Sequence, residues 1–218
     1  MVEDDGTRVL IDTPADMSEQ CLGAGIDFVH GVLYTHSHAD HTHGIDDLRG
    51  FNFSGNGPVD VYGDTSTLAD IRQRFGYAFG PAEYDGPWYR PSLVPHEIDG
   101  PFKIGNLSII PFEQVHGKSI SVGYRFGSVA YSTDVNKLPD SAFPVLNGLD
   151  CWFLDCFGYA PSRSHSHLDR TLHWIERVAP KRAILIHMAN ELDYETLRRA
   201  LPKGVEPAYD GMIVEIGD

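Results

Sequence analysis

The sequence contains little cysteine and no long apolar run. Only three of its 218 residues are cysteines, Cys21, Cys151 and Cys156, and no two of them form a C-x-x-C motif. An odd number of cysteines without that motif argues against a disulfide framework and favours a reducing, cytoplasmic setting. No apolar stretch reaches the roughly 18 residues that a membrane-spanning helix needs, so we expect no membrane association.

The chain is also short of basic residues and of linkers. It has 17 Lys and Arg against 31 Asp and Glu, which gives a formal net charge of −14. This charge would repel a long polyanion such as DNA or structured RNA. A hydrophobic content of 42% is enough for a large core, and no low-complexity segment divides the chain. We therefore predict a single domain over residues 1–218.

The most informative segment is Thr-His-Ser-His-Ala-Asp-His at residues 35–41, an H-x-H-x-D-H run. It offers four potential metal ligands, His36, His38, Asp40 and His41. On an α-helix the first two would lie about 200° apart, so they can bind one metal only from an extended or looped backbone. A strand-like segment precedes the run and a helix-like segment follows it, which places the ligands at the carboxyl end of a strand. A solvated, His-rich turn is the alternative interpretation.

Three further strand-like segments end in a residue type that binds metals. Residues 109–115 are followed by His116, residues 129–133 by Asp134, and residues 183–186 by His187. Taken singly, each of these three residues could be an ordinary turn residue. Together with the first run they predict one metal site at one end of a sheet, and the absence of thiolates suits zinc, manganese or iron.

These residues resemble the metallo-β-lactamase superfamily, whose hydrolases carry H-x-H-x-D-H and then a His, a bridging Asp and a final His. The resemblance implies an α/β fold, the αββα sandwich. It also implies that His36, His38 and His116 bind one divalent ion, that Asp40, His41 and His187 bind a second, and that Asp134 bridges them. Members of this family usually have strands before the segment Leu10–Asp12, so we expect the sandwich to lack its first N-terminal strands. Such an uncovered sheet edge could pair with a second copy of the chain in a homodimer.

A more specific resemblance is to the PhnP-type phosphodiesterases, a branch related to tRNase Z. It is carried by residues 10–13, 40–49, 165–187 and 208–212. In that family a histidine about 22 residues before the last metal ligand assists the leaving group or orients the phosphate. His165 has this spacing, and His167 is its rival. Both precede a helix-like segment, whose free N–H groups also favour an anion.

The resemblance therefore implies a metal-dependent phosphodiesterase that acts on a small cyclic or nucleotide-like phosphate ester. A hydroxide that bridges the two ions would attack phosphorus, and His165 would assist departure of the leaving group. A thioester or lactone hydrolase with the same metals remains an alternative. An alternative of another class is a sensor or ligand-binding protein that holds the metals without turnover.

Other patterns predict the supporting structure. Residues 59–62 favour a strand and 67–75 a helix, 120–132 favour a hairpin about Gly127-Ser128, and 205–216 favour a terminal hairpin turned by Asp210-Gly211. We expect Asp12 and Asp155, also at strand ends, to anchor the ligand loops. An aromatic segment over residues 75–91 could be an ordered loop, a subunit contact, or a lid that stacks a ribose or base.

Overall fold

A computed structural model describes residues 1–55, 57–79 and 90–217 of the chain. It divides into two compact units, residues 1–108 and 109–218. That residues 1–218 form a single domain remains a prediction. No helix of the described residues is long and apolar enough to cross a membrane.

The first unit alternates strands with short helices. Its strands are β1 (Val2–Asp4), β2 (Thr7–Ile11), β3 (Gly31–Leu33), β4 (Val59–Gly63), β5 (Leu93–Glu97) and β6 (Phe102–Ile104). Its helices are α1 (Met17–Gly23), α2 (Ala39–Thr42), α3 (Arg49–Gly55) and α4 (Thr65–Arg74), with 3₁₀ turns at Ile45–Leu48 and Gly76–Phe79. Helix α4 begins where the Asp64 carboxylate accepts hydrogen bonds from the N–H groups of Ser66 and Thr67, which are otherwise without intrahelical partners.

The second unit has longer strands. The chain passes into it within β7 (Leu107–His116), and it continues with β8 (Ser119–Phe126), β9 (Val129–Ser132), β10 (Cys151–Asp155), β11 (Arg182–Ile186) and β12 (Val205–Pro207). Its helices are α5 (Ala142–Val145), α6 (Leu168–Val178) and α7 (Tyr194–Ala200). Strands β8 and β9 form the predicted antiparallel hairpin, and Gly127 in its turn has a φ of 54°.

The strands form two sheets, with the orders β1-β2-β3-β4-β5 and β12-β11-β10-β9-β8-β7-β6. In the first sheet β2, β3, β4 and β5 run parallel. In the second, β9, β10, β11 and β12 run parallel, while β8 runs antiparallel to both β7 and β9. Strands β7, β9, β10 and β11 therefore point the same way and end at one edge of the sheet.

Each unit has its own apolar core. In the first, Val32, Tyr34 and Ile45 are fully buried and pack with residues from α1, α3, α4 and β4. In the second, Trp152 and Leu154 of β10 pack with α5 and α6, and the Trp152 indole N–H donates a hydrogen bond to the Ser132 hydroxyl. The parallel strands β3, β10 and β11 are buried along most of their length, as strands covered on both faces usually are.

One sequence prediction needs correction. The predicted terminal hairpin is wrong in its second arm: β12 ends at Pro207, a turn leads from Tyr209 to Met212, and residues 213–217 form no strand. Because β12 pairs in parallel with β11, its direction is set by the sheet and not by a hairpin partner. The prediction that His36 and His38 have a non-helical backbone is confirmed, and α2 begins after them at Ala39.

Gly44 lies where the ligand segment touches the chain before α1. Its N–H donates a hydrogen bond to the Thr13 carbonyl, and an added Cβ would lie 2.1 Å from the Pro14 carbonyl oxygen. We expect Gly44→Ala to lower the free energy of unfolding by about 1–3 kcal/mol, because backbone must move to relieve the overlap. Urea unfolding measures this.

Gly50→Ala in α3 is the matched control, because no atom lies within 4 Å of a Cβ at that position. It should leave the free energy of unfolding unchanged or raise it by up to about 1 kcal/mol, since alanine favours helix more than glycine does. Equal unfolding midpoints for Gly44→Ala and the unmutated protein would show that the close approach has no energetic consequence.

Candidate metal centre and active site

In the first unit the predicted ligands follow β3. The backbone of His36, Ser37 and His38 is not helical, and α2 then begins at Ala39. The imidazole of His36 packs on two others, with ring centroids 4.5 Å from His38 and 4.3 Å from His41. The Nε2 atom of His41 lies 3.4 Å from Oδ2 of Asp40. The structure thus brings all four residues of the H-x-H-x-D-H run into one cluster.

Hydrogen bonds around Asp12 define which imidazole nitrogens face the cluster. The Asp12 carboxylate accepts from the Thr35 N–H at 2.7 Å and from the Thr35 hydroxyl at 2.7 Å. It also accepts from Nδ1 of His41 at 2.6 Å. Because the Thr35 hydroxyl proton is engaged by Asp12, its oxygen is left to accept from Nδ1 of His36 at 3.0 Å. Both histidines are thereby set to offer Nε2 to a metal.

In the second unit the predicted ligands lie at the shared edge of β7, β9, β10 and β11. His116 is the last residue of β7, Asp134 follows β9, and His187 follows β11. The Nδ1 atom of His116 donates a hydrogen bond to the Ser164 carbonyl at 2.7 Å, which leaves Nε2 to act as a ligand. Asp134 is buried, and its two carboxylate oxygens point at different imidazoles.

The distances around Asp134 fit a metal-binding carboxylate. Its Oδ2 lies 3.5 Å from Nε2 of His116, and its Oδ1 lies 3.5 Å from Nε2 of His187. Ligands on a tetrahedral ion with bonds near 2.0–2.2 Å are about 3.3–3.6 Å apart. The His41–Asp40 pair of the first unit has the same spacing, 3.4 Å. The donor chemistry and spacing in each unit therefore suit a divalent ion.

The two candidate catalytic histidines occupy different environments. His165 is largely buried, and its Nδ1 lies 3.7 Å from Oδ2 of Asp134 and 3.5 Å from Oδ2 of Asp155. Asp155, His165 and His187 offer ligand-type atoms within 4.8 Å of one another. His167 is the N-cap residue of α6, and within the described residues its ring contacts none of the predicted ligands. The geometry thus favours His165 over His167.

Asp155 connects the segments that carry these groups, as expected for a residue that anchors the ligand loops. Its Oδ2 accepts hydrogen bonds from the backbone N–H of Val135 at 3.0 Å and of Ser166 at 3.2 Å. Its backbone carbonyl accepts from the Thr171 hydroxyl of α6. One fully buried carboxylate therefore holds the chain beside Asp134 and beside His165.

Three of the site residues have a left-handed backbone. The φ angles are 60° at Asp12, 50° at Asp134 and 57° at His187. Residues other than glycine adopt this conformation at a cost, and the surrounding structure must hold them in it. Each lies directly after a buried strand, or one residue beyond, where the chain turns to present the side chain at the sheet edge.

Other candidate features do not belong to these clusters. A cavity of about 430 Å³ in the first unit is lined by α1, α3 and neighbouring residues, and none of the predicted ligands lines it. The three cysteines are buried free thiols, and burial raises the pKa of Cys151 to about 11 and that of Cys156 to about 12. Most of the predicted aromatic lid, including Tyr84, Trp88 and Tyr89, lies outside the described residues.

Asp12→Asn is expected to weaken metal binding about 10- to 100-fold, because an amide has one acceptor oxygen where the carboxylate has two, so the hydrogen bonds to Thr35 and His41 cannot all be kept. Asparagine tolerates the left-handed backbone, so the substitution separates the lost hydrogen bonds from backbone strain. Competition with a chromogenic chelator measures the affinity. Asp27→Ala is the control, since that carboxylate is 84% exposed. If Asp12→Asn bound metal with unchanged affinity, Asp12 would have no role in orienting the metal ligands.

Comparisons with known proteins place these observations in a family. The model of the family described as "Beta-lactamase superfamily domain" matches residues 7–188. The solved structure of a new diphosphatase from the PhnP family is 33% identical, with a TM-score of 0.90 over 99% of this chain and 82% of that chain. Human tRNase Z, short form, shares the fold at 15% identity, with a TM-score of 0.69 over 100% of this chain and 91% of that chain.

One curated relative has a name that implies a different activity. The octanoyltransferase of Porphyromonas gingivalis (strain ATCC BAA-308 / W83) is 31% identical over 217 residues, which is 97% of this chain. The chain spans only 43% of the length of that relative. The name therefore describes a protein with a large region that this chain does not match.

The two sheets correspond to the metallo-β-lactamase fold, which is the fold of a family of metal-dependent hydrolases, and the His/Asp groups are able to bind metal. The predicted fold class and enzyme class are confirmed. The chain belongs to the β-lactamase superfamily and, within it, to the PhnP family.

Proposed function

We propose that the protein is a binuclear metal-dependent phosphodiesterase, which hydrolyses a phosphodiester or diphosphate linkage in a small, nucleotide-like molecule. The observation that carries the proposal is the position of His165, whose Nδ1 lies 3.7 Å from the Asp134 carboxylate. A proton donor at this position could reach the leaving oxygen of a phosphoryl group. The similarity to a diphosphatase of the PhnP family supports reaction at phosphorus.

The proposal includes the ligand set that the resemblance implied. His36, His38 and His116 would hold one ion, Asp40, His41 and His187 the other, and Asp134 would bridge them. Two divalent ions, when bound, lower the pKa of water and neutralise charge on a phosphoryl group. Zinc and manganese are the proposed metals, because the ligands are imidazoles and carboxylates without thiolate. The ligand geometry within each unit supports this assignment.

The chain's own groups would perform the remaining steps. Asp12 and Thr35 fix the rings of His41 and His36, as the hydrogen bonds at 2.6 and 3.0 Å indicate. His165 would donate a proton to the departing alkoxide, with Nδ1 facing the carboxylates of Asp134 and Asp155 and the other ring nitrogen turned towards the substrate. A cytoplasmic setting is part of the proposal, supported by the three free thiols.

Hydrolysis of an acyl ester or thioester is a second candidate function. The specific observation that favours it is the name of the octanoyltransferase relative, which implies acyl chemistry in a protein that contains a similar region. Metal ions that polarise a phosphoryl oxygen also polarise a carbonyl. Because the chain spans 43% of that relative, the acyl transfer itself could belong to the unmatched region.

A substrate panel separates these functions. Protein loaded with zinc or manganese is assayed on bis-p-nitrophenyl phosphate, a cyclic nucleotide, a dinucleoside diphosphate, an octanoyl thioester and a lactone. We expect metal-dependent turnover of at least one phosphorus substrate and none of the acyl substrates. Turnover of the thioester alone would support the second candidate and overturn the first. Tight nucleotide binding without turnover, under either metal, would favour a sensor.

A further inference from the structure

Phe157 is an exposed aromatic residue that packs against the candidate catalytic histidine. It follows β10 by two residues, and its side chain is 37% exposed, so it is not part of the core. Its ring lies on His165 with centroids 4.5 Å apart and planes 20° apart. The ring of His165 in turn stacks on His187, with centroids 5.0 Å apart and planes 27° apart.

The rings of Phe157, His165 and His187 all contact one another. The centroids of Phe157 and His187 are 5.7 Å apart, so each ring of the group contacts the other two. The ring of His116 meets His165 edge-on at 4.8 Å. Ring pairs at these separations attract one another beyond the area they bury. An imidazole packed in this way has few orientations open to it.

The backbone of Phe157 is fixed to both segments that carry these histidines. Its N–H donates a hydrogen bond to the Ser166 carbonyl, one residue after His165, at 2.9 Å. Its carbonyl accepts from the N–H of Ala189, two residues after His187, at 2.9 Å. The backbone that carries the Phe157 ring is therefore tied to both histidine segments, and the ring packs against both imidazoles.

We propose that Phe157 is a positioning residue for the reaction. Its ring holds the imidazole of His165 with Nδ1 towards the carboxylates of Asp134 and Asp155, so that Nε2 is presented to the leaving group. Without the ring, His165 could rotate about its side-chain bonds into the space that Phe157 vacates. This inference rests on the proposed role of His165 as the leaving-group acid.

Kinetics of Phe157→Ala on the metal-loaded protein test the inference. For an alkyl phosphodiester, whose leaving group needs a proton, we expect kcat to fall roughly 10- to 100-fold with KM nearly unchanged. The reason is that a misplaced His165 imidazole slows the chemical step without weakening substrate binding. For bis-p-nitrophenyl phosphate the fall should be under about threefold. Phe157→Tyr, which keeps the ring, should restore kcat. Ile110→Ala, at a similarly exposed apolar position on β7 six residues before His116, is the matched control.

A double-mutant cycle separates positioning from a general structural role. In a His165→Ala background, Phe157→Ala should cause no further loss, because the residue acts only through His165. An undiminished further loss would overturn the inference. If His165→Ala itself leaves kcat for the alkyl phosphodiester unchanged, the proposed function is wrong. If His165→Ala has its full effect and Phe157→Ala has none, only the present inference fails.

NMR spectroscopy tests the stacking of Phe157 on His165 without an activity assay. An aromatic face shields the protons stacked on it, so the His165 ring protons should resonate upfield in NMR spectra of the metal-free protein. Phe157→Ala should remove this shift and Phe157→Tyr should keep it. Should Phe157→Ala fail to fold, Phe157→Leu replaces it in both experiments, since leucine keeps apolar bulk but no ring. A His165 shift that is the same with leucine as with phenylalanine would contradict the stacking.

Discussion

Replacement of Asp134 by asparagine is expected to remove both metal ions, or to leave one weakly held, and to reduce hydrolysis by roughly 10³-fold or more. The reason is that each carboxylate oxygen faces a different imidazole, at 3.5 Å in both cases, so one anionic group serves two binding positions. A neutral amide offers a single acceptor oxygen and no charge. Elemental analysis of the purified variant measures the result.

Asparagine is chosen so that the substitution does not also strain the backbone at position 134. Asp134 has a φ of 50°, a conformation that asparagine tolerates well, so the variant should fold. Asp140→Asn is the matched control, since that side chain is 95% exposed in the same unit. His41→Ala should harm mainly the second ion. Full metal content and full activity in both Asp134→Asn and His41→Ala would show that the ligand assignment is wrong.

Replacement of His165 by alanine is expected to keep the fold and the metals but to lower turnover roughly 10²- to 10⁴-fold, the usual contribution of a positioned general acid. The deficit should be large for an alkyl leaving group and small for p-nitrophenolate, which departs without a proton. The measurement is kcat on both substrates, with metal content determined on the same samples.

Two histidine controls define the specificity of this effect. His173→Ala, on the exposed face of α6, should have wild-type activity. His167→Ala should have at most a small effect, because His167 contacts none of the predicted ligands in the described part of the chain. A selective, large loss in His167→Ala would transfer the catalytic role to that residue.

The strands that carry the site could be predicted from the sequence because their patterns are local. The apolar runs ending at His116 and His187 correspond to β7 and β11, and the segment before Asp134 corresponds to β9. Strand β11 is a short, continuous apolar run, whereas β7 largely alternates buried and exposed residues, and both patterns predict strands. The family resemblance then assigned roles that the spacing alone leaves open.

Other features depend on contacts between distant residues. The left-handed backbones of Asp12, Asp134 and His187 have no marker such as glycine in the sequence. The stacking of Phe157 on His165 depends on how the single connection between β10 and α6 folds back on itself, over a separation of eight residues with no periodic pattern. The terminal hairpin shows the reverse case: the Asp210-Gly211 turn signal is present in the sequence, but residues 213–217 form no strand beside the edge strand β12.

We propose that this chain hydrolyses a phosphodiester or diphosphate linkage by means of two metal ions bound by the predicted ligands. The most direct test is a titration of metal-free protein with manganese or zinc, in which bound metal and bis-p-nitrophenyl phosphate hydrolysis are followed in the same samples. The account predicts that activity rises to a plateau at two equivalents per chain and is lost on chelation. Full activity at one equivalent, or hydrolysis that survives removal of all metal, would contradict it.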